Sequence, residues 1–390
     1  MRCTCVGNVS NKLELPSRSV QGYGTLSGVV LCSRLGSIGN VPDNQDRPRA
    51  RVVTMREVAL RAGVGLATVS RVVNGKPHVK PELVERVTNA ANSLGYRHDA
   101  TASSLRRADR RTATLGLVLE DVSNPFSSAL HRAIEDAAAA REVLLLAGSS
   151  DEDPAREREL IQTFAARRVD GLVIVSTGAL DDELTQMLDR DIPVVCVDRF
   201  VDVDRADTVT TDNRGGVRER VAALHALGHR RIAFLGDLES IWTARERHAG
   251  FTEGMAAASC SLSADLVRRG LHTEAAAESA VSALLALPDP PTAIVSAQNL
   301  ITIGTRRVLQ SLNLEYRVAL VGFDDFPLAD LLRPGVSVIA QDPAAMGREA
   351  ARLLFDRLDG NPVAARHSVL PTRYMARGSG ELPAPRDTRA

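Results

Sequence analysis

The sequence predicts an all-α helix-turn-helix headpiece followed by a larger α/β region of two lobes, each a doubly wound parallel sheet covered by helices. Three observations predict it. Between Thr54 and Gly95 the apolar residues recur at helical spacing in three short bursts separated by Gly, Asn and Pro. Beyond Thr112, short unbroken apolar runs alternate with amphipathic segments of helix length, the pattern of parallel strands buried on both faces. Charge is distributed unevenly: Arg51 to Arg111 holds 12 basic against 5 acidic residues, a local balance of +7 in a chain of zero formal net charge, so the remainder carries −7. A basic block beside an acidic bulk implies that one unit meets a polyanion and the other does not.

At 390 residues the chain exceeds one ordinary core, and 44% hydrophobic with 25% charged residues places it among globular proteins. Aromatics at 3% leave the cores to Val, Leu, Ile and Ala. The cysteines are Cys3, Cys5, Cys32, Cys196 and Cys260, an odd number without zinc-type spacing beyond the lone Cys3-x-Cys5 pair, which fits a reduced, intracellular chain; no metal site and no cofactor are expected. The start lacks the apolar stretch of a secretory signal and no run approaches membrane-span length, so a cytoplasmic location without a membrane partner is expected.

Taken in order, residues 1–51 are rich in Gly, Ser, Asn and Pro and show no sustained period, so a poorly ordered extension is expected, or a reading frame that truly opens near Val52 or Met55. Gly22-Tyr23-Gly24 has neither the preceding strand nor the following helix of a nucleotide-binding fingerprint. The headpiece, 52–98, opens at Thr54, whose hydroxyl with the Glu57 carboxylate fits a capping box. Val58, Ala59 and Ala62 share one helix face before Gly63 breaks it. A second helix runs from Leu66 to Val73 with Val69, Val72 and Val73 inward, ending at Asn74-Gly75. Pro81 opens a third, carrying Val84, Val87, Ala90, Ala91 and Leu94 to Gly95. Further on, strands are expected at 115–119, 143–146, 171–175, 193–197, 231–235, 292–295 and 318–323. Helices are expected at 125–141, 154–168, 212–227, 245–258 and 300–312.

The chain resembles the lactose repressor family (LacI/GalR) along about residues 53–377. The resemblance is carried by Val53–Gly75, Gly95-Tyr96-Arg97, Ser104-Leu105-Arg106, Ser123–Phe126, Val197-Asp198-Arg199, Thr211-Asp212-Asn213, Leu227–Ile232, Thr243–Arg247 and Val321–Asp325. It implies a transcription regulator, a repressor, whose operator affinity is set by a small effector held between the lobes of a periplasmic-binding-protein-like sensor. The implied organisation is a hinge helix and linker at 99–111 and a sensor at 112–377. Its N-lobe takes about 112–210 plus 340–370, its C-lobe about 211–339, and 378–390 is a tail.

For DNA, Arg71 is the base-reading candidate, since its fork can bond both acceptors of a guanine. Leu66 and Ala67, at the helix entrance where the family places its specificity pair, suit a thymine methyl. By resemblance Thr68, Ser70, Asn74 and His78 contact phosphate or brace the helix, and Leu105 is the hinge leucine that wedges into the minor groove. His98, Asp99 and Ser103 depart from the family's usual Pro, Asn and Arg, and Asp99 beside phosphate is repulsive.

For the effector, loops beyond strand carboxyl ends are the place to look. Asp198 and Arg199 follow one strand, Asp324 and Asp325 another, and Thr243–Arg247 lie past a third. Carboxylates mixed with an arginine match the hydroxyl pairs of a sugar. The resemblance makes Arg247 and Asp324 the central contacts, Asp198, Arg199 and Thr243 their support, and Phe126 an apolar platform. Gln298-Asn299 stands where relatives carry Asn-Asp, with Asn299 as helix cap and Gln298 altering the cleft. Trp242 and His272 are further loop candidates.

A palindromic operator and a homodimer follow from one headpiece reading one half-site. The end of the chain has no leucine heptads, so no coiled-coil tetramer is expected. Two rival classes are disfavoured: an extracytoplasmic sugar-binding protein by the headpiece, and an enzyme by the lack of a P-loop, an H-E-x-x-H or a G-x-S-x-G motif.

Overall fold

Thr54 and Glu57 open the first helix as the sequence requires: the Thr54 amide donates to Glu57 Oε2 at 2.8 Å and the Glu57 amide to Thr54 Oγ1 at 3.4 Å. The computed structural model describes residues 53–73, 79–96, 111–179, 181–361 and 364–385. Asn74, His78, Leu105, the extension at 1–51 and most of the 99–111 hinge lie outside the described residues. The chain divides into two units with the boundary at His98 and Asp99.

The first unit holds α1 (Met55–Ala62), α2 (Leu66–Val73) and α3 (Pro81–Leu94). Gly63 and Gly95, at φ +63° and +67°, end α1 and α3 in the left-handed conformation that costs glycine nothing. Val58, Val69 and Val87, one from each helix, are fully buried and form the centre of the bundle. Arg86 Nη2 donates to the carbonyls of Ala62 at 2.6 Å and Gly63 at 3.2 Å, so one of the headpiece cations fastens α3 to the turn. Val84, one of the apolar residues expected along this helix, is exposed near the α3 start.

The second unit begins with β1 (Thr114–Leu119), α4 (Pro125–Ala139), β2 (Leu144–Ser149), α5 (Pro154–Ala166), β3 (Gly171–Ile174), α6 (Asp181–Asp189), β4 (Val194–Val197) and β5 (Asp207–Thr211). The chain then crosses to a second lobe. That lobe contains α7 (Asn213–Ala226), β6 (Ile232–Leu235), α8 (Trp242–Ala257), β7 (Val267–Arg268), α9 (Glu274–Leu285), β8 (Ala293–Ser296), α10 (Asn299–Ser311), β9 (Ala319–Phe323) and β10 (Ser337–Ala340). It returns for α11 (Pro343–Leu358) and β11 (His367–Leu370), and crosses once more for β12 (Arg373–Met375).

The first sheet has the order β2-β1-β3-β4-β5-β11, parallel throughout; the second is β7-β6-β8-β9-β10-β12, parallel except for the β10–β12 pair. Strand order reverses at β1 in one lobe and β6 in the other, and a crevice opens beyond the carboxyl ends at such points. Leu117, Leu130, Ile134 and Leu354 join α4 and α11 to the first sheet, while Ile294, Leu320, Ile301 and Val281 do the same for α9 and α10 in the second.

Asp207 is completely buried at the start of β5. Arg357 Nη2 donates to its Oδ1 at 2.8 Å and Arg366 Nη2 to its Oδ2 at 2.9 Å, fastening α11 and the approach to β11 onto the first lobe. Burial opposes the charge, yet these bonds hold the carboxyl below its ordinary range.

The second lobe does not end at 377. Ser379 is buried and donates to the Leu320 carbonyl at 2.7 Å, Glu381 accepts from Ser337 Oγ at 2.8 Å, and the Leu382 carbonyl lies 2.9 Å from His229 Nε2. The described part of the expected tail is therefore lobe structure, anchored by polar contacts that carry no periodicity. The helix expected from Arg245 begins at Trp242. Among the described residues no helix is long and apolar enough to cross a membrane.

Candidate functional site

On α2 the side chains divide by angle. Val69 is inward, and Leu66, Ala67 and Arg71 are exposed, with Thr68 and Ser70 half-buried. Ala67 and Arg71 are four residues apart, as are Leu66 and Ser70, so these four share one outward face. A short helix that buries one valine and presents a forked cation beside small apolar groups can enter a major groove.

The cleft of the second unit is built from both sheets at the carboxyl ends of their strands and holds a cavity of about 80 Å³ that opens to solvent. All seven residues expected there, Phe126, Asp198, Arg199, Thr243, Arg247, Gln298 and Asp324, line it. Asp198 follows β4 and Asp324 follows β9, at φ +69° and +67°, sharp left-handed turns that Asp tolerates better than most residues. Thr243 and Arg247 come from the first two turns of α8, one turn apart on the same face.

Arg247 is almost fully buried. Its Nε donates to Asn213 Oδ1 at 2.7 Å and its Nη1 to the Ala297 carbonyl at 2.8 Å, Asp324 Oδ2 lies 3.4 Å from Nη1, and the guanidinium stacks 3.7 Å above the Phe323 ring. The planar fork is fixed before any ligand arrives. Asp324 Oδ1 accepts from Gln341 Nε2 at 2.7 Å.

Arg199 is differently committed. Its Nη1 donates to Glu152 Oε2 at 2.8 Å and to the Ser176 carbonyl at 2.9 Å, and its Nη2 pairs with the other Glu152 oxygen. Burial works against its charge, but Glu152 outweighs it and holds the guanidinium more firmly protonated than usual. Arg199 is thus a wall brace with its terminal nitrogens turned to Glu152.

The capping assignment is reversed. Gln298 Oε1 accepts from the Ile301 amide at 3.2 Å and caps α10, because its longer chain reaches the third amide. Asn299 instead donates from Nδ2 to Asn124 Oδ1 at 3.0 Å, a hydrogen bond that joins the two lobes. Asp325 leaves the cleft for a two-pronged pair with Arg377, at 2.6 and 2.7 Å. Trp242 lines a neighbouring cavity with Phe200, the two ring centres being 6.4 Å apart.

Sequence reasoning missed several lining groups. Glu120, Asp121, Glu152 and Asp237 all lie just beyond strands, a position that could have flagged them, and Gln341 follows a strand that was not recognised. With Asp198 and Asp324 they make six carboxylates in the lining against Arg199, Arg247 and His272. Burial pushes the Glu120 carboxyl up to about 7, opposed by Arg199 and reinforced by Asp198. Burial likewise raises Asp198 to about 6 against the attraction of Arg247 and Arg199, with Asp324 and Glu152 adding to the rise. His272 Nδ1 lies 2.8 Å from Asp237 Oδ1, and that hydrogen bond holds the imidazole pKa above its ordinary value.

Comparison with known proteins agrees with this division. Residues 54–99 match the model of bacterial regulatory proteins of the lacI family, and residues 221–380 match a periplasmic binding protein-like domain. Catabolite control protein A of Priestia megaterium is 30% identical, the match covering 84% of this chain and 99% of that protein. The HTH-type transcriptional regulator CelR of Thermobifida fusca is 33% identical over 85% of this chain and 99% of its own. A solved complex of transcriptional regulator CelR with cellobiose superposes with a TM-score of 0.62 at 32% identity, covering 84% of this chain and 99% of that one.

Proposed function

Because the chain belongs to the lacI family of bacterial regulatory proteins, which are DNA-binding transcription regulators and not enzymes, we propose that it is a cytoplasmic repressor. It acts as a homodimer on inverted-repeat operators, and a sugar-class effector in the interlobe cleft sets its grip on DNA. The observation that carries the reading is the pairing, in one chain, of an exposed α2 face bearing Arg71 with a cleft whose Arg247 fork is fixed against Asp324. Arg71 reads guanine, Leu66 and Ala67 meet thymine methyls, Thr68, Ser70, Asn74 and His78 contact phosphate or brace the helix, and Leu105 wedges a base step.

In the cleft, Arg247 and Asp324 hold neighbouring hydroxyls, Asp198, Thr243 and Gln298 supplement them, Arg199 fixes the wall through Glu152, and Phe126 covers the apolar face of the ring. The CelR complex with cellobiose supports a sugar. The effector shifts operator affinity only by its different affinity for the two lobe arrangements, and coupling of about 1–3 kcal/mol corresponds to roughly 5- to 150-fold.

The test has two stages. Selection from random duplexes yields an inverted repeat, and titration of that operator in the presence of a sugar panel identifies compounds that change its affinity. Absence of any preferred duplex, with and without the panel, refutes the reading.

A further inference from the structure

The interlobe cleft holds more negative charge than hydroxyl recognition requires. Two of its six carboxylates are occupied by partners within the wall: Glu152 by Arg199, and Asp237 by His272. Asp324 shares Arg247 and Gln341. Asp121 accepts from the amide and hydroxyl of Ser123 at 2.8 and 2.7 Å. Glu120 and Asp198 remain, the latter with Arg199 Nε 3.8 Å from its Oδ2, beyond hydrogen-bond distance. Glu120 Oε2 and Asp198 Oδ1 are both shut off from solvent and have no hydrogen-bond partner among the described residues, and Asp198 as a whole is 7% exposed. Both residues line the same cleft, Glu120 directly after β1 and Asp198 directly after β4.

A carboxylate oxygen buried without a donor is costly, and a ligand that brings the donor gains what the empty site lacks. A hydroxyl brings a dipole, whereas an ammonium brings charge as well. The cleft favours the charge: its acids outnumber its two arginines, whose hydrogen bonds go to Glu152, Ser176, Asn213, Ala297 and Asp324 rather than to Glu120 or Asp198. A metal ion is the other occupant acid clusters suggest, but among the described residues no group of three His, Cys, Asp or Glu side chains is arranged to hold one. Burial raises the carboxyl pKa of Glu120 and Asp198 although Arg199, and at Asp198 Arg247 as well, pull the other way, so the nearby arginines do not offset the desolvation.

We propose that the effector is a polyhydroxylated compound bearing one protonated nitrogen, with the nitrogen held by Glu120 and Asp198 and the hydroxyls by Arg247 and Asp324. This inference rests on the effector-controlled reading above and deepens it. The nitrogen is either a substituent, as in a 2-amino-2-deoxyhexose, or part of the ring, as in an iminosugar; the shared feature is an ammonium flanked by hydroxyls.

The experiment uses the full chain at pH 7 and calorimetry with matched compounds: glucosamine, galactosamine and mannosamine, 1-deoxynojirimycin, the parent hexoses, and the N-acetylated hexosamines, which keep the nitrogen but lose its charge. The expected result is that at least one amine binds 10-fold or more tightly than both its hydroxyl parent and its acetylated form and alters operator affinity. Tighter binding of deoxynojirimycin than of the hexosamines also supports the proposal and places the nitrogen in the ring. Glu120→Gln, which keeps the shape and removes the charge, should narrow the ratio of amine to parent affinity at least five-fold. Asp198→Asn supplies the same readout where the first variant folds poorly. Equal or tighter binding of the neutral parents, or a ratio that both variants leave unchanged, overturns the inference while the effector-controlled reading stands. If no compound in either arm binds or alters operator affinity, the sugar reading falls with it.

Discussion

Arg71→Ala tests the DNA-reading face with little disturbance elsewhere. Arg71 is exposed on α2, while the helix is anchored by fully buried Val69, so truncation changes folding stability by no more than about 0.5 kcal/mol. A bidentate arginine–guanine pair contributes about 1–3 kcal/mol of discrimination per base, and a symmetric dimer loses it at both half-sites, giving about 2–6 kcal/mol if the sites are independent. At about 1.4 kcal/mol per tenfold, the smallest expected loss on the selected operator is about 30-fold. Binding to random duplex falls far less, since there only one phosphate-attracting charge per headpiece is lost. Fluorescence anisotropy on the selected operator and on random competitor, at two salt concentrations, separates these contributions. Equal losses on both duplexes would make Arg71 a phosphate contact, and unchanged affinity for the operator would refute the assignment altogether.

Asp207→Asn leaves two arginines around a neutral amide and should lower stability in urea by about 2–4 kcal/mol, below the full cost of breaking a buried pair because Arg357 and Arg366 reach water. Since the folded pKa of Asp207 is depressed, its contribution is complete above the unfolded value of about 3.9 and disappears as pH falls through the folded one; a stability gap between mutant and parent that stays constant as pH falls would contradict this. Glu120 is the opposite case. Its folded pKa of about 7 lies above the unfolded value, so the native state binds the extra proton and stability falls as pH rises from about 4 to 7. Glu120→Gln should flatten that slope and raise the melting temperature at pH 8, and an unchanged melting profile would show the carboxyl to be well solvated. Gly250 sits where α8 meets α7, and a Cβ there would run into the Arg214 carbonyl. Gly250→Ala should therefore destabilise the second lobe by about 1–3 kcal/mol, read by calorimetry, and a neutral effect would mean that the two helices separate freely.

How much of this was legible in the sequence depended on whether a residue's signal is local. Helices α1 to α3 announce themselves through Thr54, Gly63, Pro81 and Gly95, and α2 runs from Leu66 to Val73 as expected. Strands β1, β3, β4, β6, β8 and β9 were visible because both faces are buried and, apart from Thr114 and Ser296 at strand ends, every position is apolar. By contrast β5, Asp207-Thr208-Val209-Thr210-Thr211, is wholly buried yet mostly polar by letter. Its Asp207 is satisfied by arginines about 150 residues away, information no window contains. The cleft shows the same division. Asp198, Arg247 and Asp324 fell in motifs of recognisable order, whereas Glu152 looks like any surface acid until folding brings Arg199 to it across 47 residues. Gln298 and Asn299 could each have capped α10; Gln298 reaches the Ile301 amide, and Asn299 pairs with Asn124 across 175 residues, a contact no sequence window contains.

The position of Gln341 suggests how occupancy of the cleft reaches the connections between lobes. Three segments cross from one lobe to the other, and two of them lie at Thr211-Asp212 and Gln341-Asp342. Thr211 Oγ1 donates to Gln341 Oε1, so these two crossings are tied side chain to side chain. The same amide donates from Nε2 to Asp324, whose other oxygen faces Arg247. A ligand that claims Asp324 or Arg247 must therefore compete with, or reinforce, a chain of contacts ending at the crossings about which the lobes would pivot. Asn213, the first residue of α7 beyond the first crossing, accepts from Arg247 Nε and adds a second link of the same kind. Cleft and pivot share side chains, so the differential affinity that repression requires can arise from rearranging a few hydrogen bonds of about 1 kcal/mol each, within the range allosteric coupling usually spans.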